Sequence, residues 1–367
     1  MNSRRRIDMA EPLKRLYSPV FIKTLAADLT AVSPGFDGNG FVRAVVGRGW
    51  RDLELKQRVR RIATTLAATV PGNYRAQLAT LARIAGNYRG FTGTLFPDFV
   101  EVYGLDDFDA SMRALAHFTQ YSSSEFAVRP FIVRDEARTL RVMRAWAEHR
   151  NEHVRRLASE GCRPRLPWGI ALQRFKVDPA PILPILERLR ADPSDYVRRS
   201  VANNLNDICK DHPDLIVELA TRWIGASAAT DQLVKHACRT LLKRGDQRAL
   251  RLFGQHDDVP VVVKLTLPVK TVAIGQRLAF ECVVRVEADT SARIEYVIDF
   301  VTKTGGVSRK AFKIGDRQLS AGAPLQLERQ HRFTDFTTRK HYAGQHRIGI
   351  VVNGVQRAQR KFAVVGP

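Results

Sequence analysis

The chain has 367 residues, long enough for two domains with separate cores, and its 59 Lys and Arg against 37 Asp and Glu give a net charge of +22. Residues 261–367 hold 18 basic and 8 acidic side chains, so they are cationic in their own right, as are residues 1–260. A surplus spread through both parts excludes a charge-balanced or acidic surface, and it fits a polyanion such as nucleic acid better than simple solubility, which acids would serve equally well.

Up to about residue 255 apolar side chains recur at helical spacing. Stripes are expected at residues 19–32, at Leu53, Leu55, Val59, Ile62, Ala63 and Leu66, at Leu78, Leu81, Ala82, Ile84 and Ala85, and over residues 107–120, 135–148, 179–190, 195–209, 212–225 and 230–244. Pro71-Gly72-Asn73, Gly104, Asp192-Pro193, Asp211-His212-Pro213 and Gly245-Asp246 are stop-and-restart signals that leave only short loops. Paired antiparallel helices follow from this pattern. Residues 161–178 break it, because Pro164, Pro167 and Pro179 forbid a continuous helix around Trp168, and an irregular insert in a repeat array often carries function.

One helix-opening phrase occurs three times, as Asn151-Glu152-His153-Val154-Arg155-Arg156, Ser194-Asp195-Tyr196-Val197-Arg198-Arg199 and Asp231-Gln232-Leu233-Val234-Lys235-His236. The three Val residues are 43 and 37 positions apart, near the ~40–47-residue period of HEAT-type helical pairs. Each copy opens on a capping residue and sets cations just past a core-facing Val. Arg155, Arg156, Arg198, Arg199 and Lys235 are therefore expected along one rim, facing phosphates; facing solvent or bridging neighbouring helices is the alternative.

After Asp258 the period becomes two. Leu278, Phe280, Cys282, Val284 and Val286 alternate with their neighbours, as do Ile294, Tyr296, Ile298 and Phe300. Further strands are expected at 261–268, 308–314, 323–333, 345–352 and 356–365, with Asn353-Gly354 as a hairpin turn, which is the profile of a small β-sandwich. Tyr342-Ala343-Gly344 is placed to form the tyrosine corner of an immunoglobulin-like fold, although Cys282 has no partner for an inter-sheet disulfide. Arg309, Lys310, Lys313, Arg317, Arg339 and Lys340 fall in or beside predicted turns, from which several can reach a duplex together.

No run of ~18 apolar residues occurs, and Asn2-Ser3-Arg4-Arg5-Arg6-Ile7-Asp8 lacks the apolar centre of a signal peptide, so a cytoplasmic protein is expected, nucleoid-associated when on DNA and without a membrane. The four Cys are isolated, as in a reducing compartment, and no structural zinc is expected. His149-Arg150-Asn151-Glu152-His153 satisfies an inverted zinc-peptidase pattern, but Asn151 reads as a helix cap that separates the two His. Phosphate-loop, dinucleotide-binding and Gly-x-Ser-x-Gly motifs are missing, and no cofactor is implied.

Acids stand out where the surface should be basic. Glu125 follows Ser122-Ser123-Ser124, Glu160 ends the helix that carries Arg155 and Arg156, and Asp207 closes Val201-Ala202-Asn203-Asn204-Leu205-Asn206. A carboxylate facing a polyanion costs binding energy, which invites a catalytic role in stabilising a developing cation or activating water. The competing readings are that Glu125 caps its helix and that Asp207 pairs with a repeat Arg.

The stretches Ser122-Ser123-Ser124-Glu125-Phe126-Ala127-Val128-Arg129-Pro130-Phe131, Val154-Arg155-Arg156-Leu157-Ala158-Ser159-Glu160-Gly161 with Arg163-Pro164-Arg165-Leu166-Pro167-Trp168-Gly169, and Val197-Arg198-Arg199-Ser200-Val201-Ala202-Asn203-Asn204-Leu205-Asn206-Asp207 closely resemble the HEAT-like-repeat DNA alkylation repair glycosylases, in particular the AlkC type. The resemblance spans nearly the whole chain, including basic N-terminal helices and the immunoglobulin-like domain that some AlkC-type members carry. It implies a mainly α fold, a HEAT-like α-solenoid over residues 1–257 that binds DNA and catalyses, plus a C-terminal all-β immunoglobulin-like sandwich over 258–367 that grips the duplex.

The implied activity is monofunctional excision of cationic N3-alkylated bases, 3-methyladenine and 3-methylcytosine, from double-stranded DNA, without flipping the base into a protein pocket. Glu125, Glu160 and Asp207 would stabilise an oxocarbenium-like sugar and supply water, Trp168 would lie against the sugar, and Arg163 and Arg165 join the DNA-binding cations. The chain departs from the sister AlkD type, whose pattern has an Asp four residues after a Trp: Trp50, Trp146, Trp168 and Trp223 are followed there by Glu54, Arg150, Leu172 and Ser227. A monomer with no protein partner is expected. The alternative from another class is a non-catalytic HEAT-repeat nucleic-acid-binding or scaffold protein.

Overall fold

The computed structural model describes residues 13–258, 260–335 and 340–366. Residues 2–8, read above for a leader, and Arg339 lie outside the described residues. The chain divides into two compact units, residues 1–211 and 212–367.

The first unit is helical: α1 (Pro19–Val32), α2 (Gly38–Val45), α3 (Leu55–Thr69), α4 (Tyr74–Ile84), α5 (Leu95–Tyr103), α6 (Phe108–Phe118), α7 (Arg129–Arg134), α8 (Glu136–Trp146), α9 (Glu152–Gly161), α10 (Gln173–Val177), α11 (Leu183–Leu189) and α12 (Asp195–Ile208). The predicted breakers act as caps. Asn73 Oδ1 accepts from Ala76 N at 3.1 Å to open α4, and Asn151 Oδ1 accepts from His153 N at 2.9 Å to open α9. The apolar stripes point inward: Ile62, Ala63, Leu66, Leu81, Leu157, Val197 and Val201 are fully buried. Fully burying a Leu, Ile or Val side chain stabilises a fold by roughly 1.5–3 kcal/mol, so these stripes hold the helix pairs together.

The second unit begins with α13 (Pro213–Trp223), α14 (Ala228–Ala237), α15 (Arg239–Arg244) and α16 (Gln247–Leu252) and continues into eight strands. These are β1 (Val261–Thr266), β2 (Thr271–Ala273), β3 (Arg277–Val286), β4 (Thr290–Val301), β5 (Val307–Leu319), β6 (Leu325–Arg332), β7 (Gly344–Val352) and β8 (Val355–Val365). They form two sheets in the orders β1-β3-β6 and β2-β8-β7-β4-β5, antiparallel throughout except for the β2–β8 pair. Seven of the eight coincide with the expected strand segments, and β1 and β3 alternate in burial along their length; β2 is three residues long, too short to show a period.

The side chains of β3 expected inside, from Leu278 to Val286, are buried. The β7–β8 turn is the predicted one: Asn353 (φ +48°) and Gly354 (φ +79°) take the two left-handed positions. The tyrosine corner does not close among the described residues, where the Tyr342 hydroxyl has no hydrogen-bond partner and its backbone carbonyl bonds His346 Nε2 at 3.1 Å instead.

Strand β4 is buried on both faces. Its outward Arg293, Glu295 and Val297 are at most 5% exposed, and Lys243, Arg244 and Gly245 at the end of α15 stand near Glu295 and Val297. Gln247 Nε2 donates to Asn353 O at 3.1 Å, Asn353 Nδ2 to His256 O at 2.5 Å, and Lys235 Nζ pairs with Asp316 at 2.6 Å.

Candidate active site

Glu160 and Asp207 stand in the last turns of α9 and α12, where the helix dipole disfavours a carboxylate, and both side chains are 5% exposed or less. Two buried acids so placed require cations. Arg163, just past α9, supplies one to both: its Nη1 donates to Glu160 Oε1 at 2.6 Å and its Nε to Asp207 Oδ2 at 2.9 Å. Ser200 Oγ completes Glu160 by donating to Oε2 at 2.7 Å, and Lys210 Nζ donates to Asp207 Oδ1 at 3.0 Å.

Glu125 joins the same chain from the turn after α6. Ser124 anchors that turn, its Oγ donating to Leu115 O at 2.9 Å. Glu125 Oε2 then accepts from Ser123 Oγ at 2.7 Å and from Arg156 Nη1 at 2.8 Å. Arg156 also reaches Glu160 at 3.5 Å and lies over the Tyr196 ring, 4.8 Å from its centroid. Burial pulls Arg156 and Arg163 down, yet the flanking carboxylates outweigh it and hold both above the ordinary guanidinium value. The result is an alternating line, Glu125–Arg156–Glu160–Arg163–Asp207–Lys210, which runs from the turn after α6 past the end of α9 to the end of α12. Glu125 Oε1 has no hydrogen-bond partner among the described residues, and at 16% side-chain exposure Glu125 is the most accessible of the three acids.

Trp168 lies on the irregular loop after α9, 60% exposed and in the left-handed backbone region at φ +65°. Phe91 flanks it at 6.5 Å between ring centroids. A cavity of about 530 Å³ opens beneath this loop against α3 and α5; Lys56, Phe91, Phe126 and Trp168 are in its lining, and the three carboxylates are not.

The predicted cations fall into different places. Arg155 pairs through Nε and Nη2 with the buried Asp192 at 2.6 and 3.0 Å, while its Nη1 donates to His149 O and Arg150 O at 3.0 and 2.9 Å. Arg198 repeats the carbonyl pattern, donating to Asp192 O and Pro193 O at 2.7 and 2.9 Å. Both tie each repeat to the turn before it, as in the bridging alternative, whereas Arg199 is exposed and pairs with Asp195 at 2.5 Å.

Lys235 departs further. Ser227 caps α14, so the third phrase sits a turn inside its helix and Lys235 lies in the last turn, paired with Asp316. Arg165 pairs with Asp211, at 2.7 Å through Nη2. In the sandwich Arg309, Lys310, Lys313, Arg317 and Lys340 are exposed; Arg309 reaches Asp299 at 3.8 Å, and Lys313 pairs with Asp316 at 2.9 Å. The two His of His149–His153 are separated by the α9 cap, with His149 Nδ1 accepting from Asn151 N at 3.0 Å.

Sequence reasoning passed over Tyr196, Ser200 and Arg129. Arg129 lies within a stretch quoted above, and its signal was an Arg among apolar residues directly before Pro130.

Comparison with known proteins places the arrangement. YhaZ, an uncharacterized protein of Bacillus subtilis (strain 168), is 45% identical over 353 residues, covering 96% of this chain and 99% of that protein. The alkylpurine DNA glycosylase AlkC of Pseudomonas fluorescens, solved bound to DNA containing an abasic-site analogue, is 39% identical with a TM-score of 0.93, covering 96% of this chain and 99% of that one. The chain belongs to the AlkC family. Residues 261–366 also match the family model of the C-terminal Ig-like domain of uncharacterised protein YhaZ, so the AlkC-type helical-repeat body here carries an immunoglobulin-like sandwich.

Proposed function

We propose that this chain is a monofunctional DNA glycosylase that releases cationic N3-alkylated bases, 3-methyladenine and 3-methylcytosine, from double-stranded DNA, acting as a monomer in the cytoplasm. The observation that carries the reading is the acid line that ends at Glu125, with one free carboxylate oxygen, in the same unit as the exposed Trp168. A lesion that already bears positive charge is a good leaving group, so the protein has to stabilise the sugar cation and deliver water.

Glu125 Oε1 is the atom to hold that water. Glu160 and Asp207, whose oxygens are occupied, fix Arg156 and Arg163 and thereby the line itself. Trp168 packs against the sugar and excludes bulk water. Likeness to the Pseudomonas fluorescens alkylpurine DNA glycosylase supports the alkylated purine among these substrates.

A second reading has one observation in its favour: all three acids are ion-paired, as a non-catalytic nucleic-acid-binding scaffold would have them. Single-turnover release of 3-methyladenine and 3-methylcytosine from methylated duplex separates the two. Release that depends on Glu125 supports the glycosylase, and tight DNA binding with no release leaves the scaffold.

A further inference from the structure

Trp168 stands on a loop whose backbone is fastened from outside by two cations. Arg129, fully buried, donates from Nε to Ile170 O at 2.6 Å and from Nη1 to Gly161 O at 2.9 Å, so its planar head spans the two ends of the loop. Lys56, on α3, donates to the carbonyl of Trp168 itself at 2.7 Å and lies over the Phe126 ring at 5.1 Å.

We propose that Arg129 and Lys56 are positioning residues that hold Trp168 in register with Glu125 for base release; this rests on the role of Trp168 given above. Three features carry it. Among the described residues Arg129 has carbonyls for partners and no carboxylate, and burial pushes its pKa down to about 10. A cation buried that way is a poor source of stability, since an apolar side chain of similar volume would serve better, so its use is geometric. Arg129 also lies only four residues after Glu125, and Phe126 under Lys56 is the next residue, so both anchors tie the Trp168 loop to the turn that carries the carboxylate.

Last, a Trp at φ +65° is in an unfavourable backbone region and must be held there by its surroundings. Beside it Gly169 packs so closely that a Cβ would sit 3.1 Å from Leu166 Cδ2 and 3.4 Å from Arg129 Cδ. The loop thus lies directly on the Arg129 stem.

The test combines single-turnover release of 3-methyladenine at saturating enzyme with acrylamide quenching of tryptophan emission. Trp50, Trp146 and Trp223 are at most 7% exposed, so quenchable emission reports Trp168. Lys56→Met and Arg129→Lys are expected to slow release at least fivefold, to leave DNA affinity within twofold and to raise quenching, while Lys56→Arg, which keeps a donor for the Trp168 carbonyl, stays near the parent in both readouts.

Release rates within twofold of the parent in both variants would overturn the proposal. So would a loss confined to DNA affinity, which would make Lys56 a phosphate contact, or slow release with quenching unchanged. If Arg129→Lys fails to fold, Lys56→Met decides, because Lys56 is exposed. Trp168→Ala separates this from the reading it rests on: parental release in Trp168→Ala removes the role of Trp168 and with it the positioning, whereas slow release there with silent Lys56 and Arg129 variants removes the positioning alone.

Discussion

Glu125 differs from Glu160 and Asp207 in what remains of its carboxylate. Arg156 and Ser123 share one oxygen and leave the other without a partner among the described residues, while both oxygens of the other two acids are engaged. Glu125→Gln keeps the shape and removes the charge, so release should fall at least tenfold with DNA binding unchanged or slightly tighter and the melting temperature nearly constant. Asp207→Asn should also slow release at least tenfold, but with a lower melting temperature, because Arg163 loses one of the two carboxylate charges that balance it, with Glu160 keeping the other. Parental rates in both variants would remove the acids from the reaction. His346 makes a separate prediction about pH. It is fully buried beside Phe300, Phe333 and Phe362, its Nδ1 has no partner among the described residues, and burial lowers its pKa from the usual 6.5. The unfolded chain therefore takes up the proton first, so stability is present above about pH 6.5 and is lost as pH falls below it toward the folded value. Thermal melts between pH 8 and 5 should show that loss, and His346→Gln should flatten it.

The repeated helix-opening phrase turns out to encode two devices at neighbouring positions. Arg155 and Arg198 each donate to the carbonyls five and six residues earlier, which fixes how a helix leaves the turn before it. Arg199, one place on, points to solvent. Arg155→Ala should therefore cost about 3 kcal/mol, since it strands the buried Asp192, and should leave the salt dependence of DNA binding unchanged. Arg199→Ala should leave stability alone and lower the salt slope by about one unit. Equal slopes for the two would reverse the assignment. Sequence periodicity located both Arg residues but not their partners, because a 3.6-residue repeat specifies a face and says nothing about which carbonyl or carboxylate lies across it. The acids were legible for a related reason: Glu160 and Asp207 oppose both the helix dipole and the cationic surface, and such local conflict marks function. Arg129 was not legible, since its partners are backbone atoms of a loop whose path no pattern predicts. Lys235 was misplaced because Asp231 looks like a cap, while Ser227, four residues earlier, takes that position.

At the scale of the chain, rhythm changes between Leu252 and Val261, which is where the alternation of the sequence also turns over, yet the compact units meet at residue 211. The difference has a physical source. Helices α14 to α16 meet the sandwich through the Lys235–Asp316 pair, the Gln247–Asn353 bond and the approach of Gly245 to Gly354, where a Cβ on Gly245 would be 2.9 Å from Gly354 Cα. Hydrophobic periodicity reports what an element needs to bury and not which neighbour does the burying. Ending the chain at residue 257 removes that neighbour and leaves Lys235, Gly245 and Gln247 without the partners that the sandwich supplies. The fragment 1–257 is therefore expected to melt well below the full chain or to aggregate, whereas a sandwich serving only as a DNA clamp would leave it folded and merely weaker in binding. The complementary cut gives an independent check. Residues 212–367 should fold cooperatively alone, while residues 261–367 expose the buried Arg293–Glu295 pair of β4 and should melt lower. A fragment 1–257 with parental melting temperature and full excision would show that the sandwich is needed neither as a cover nor as a grip.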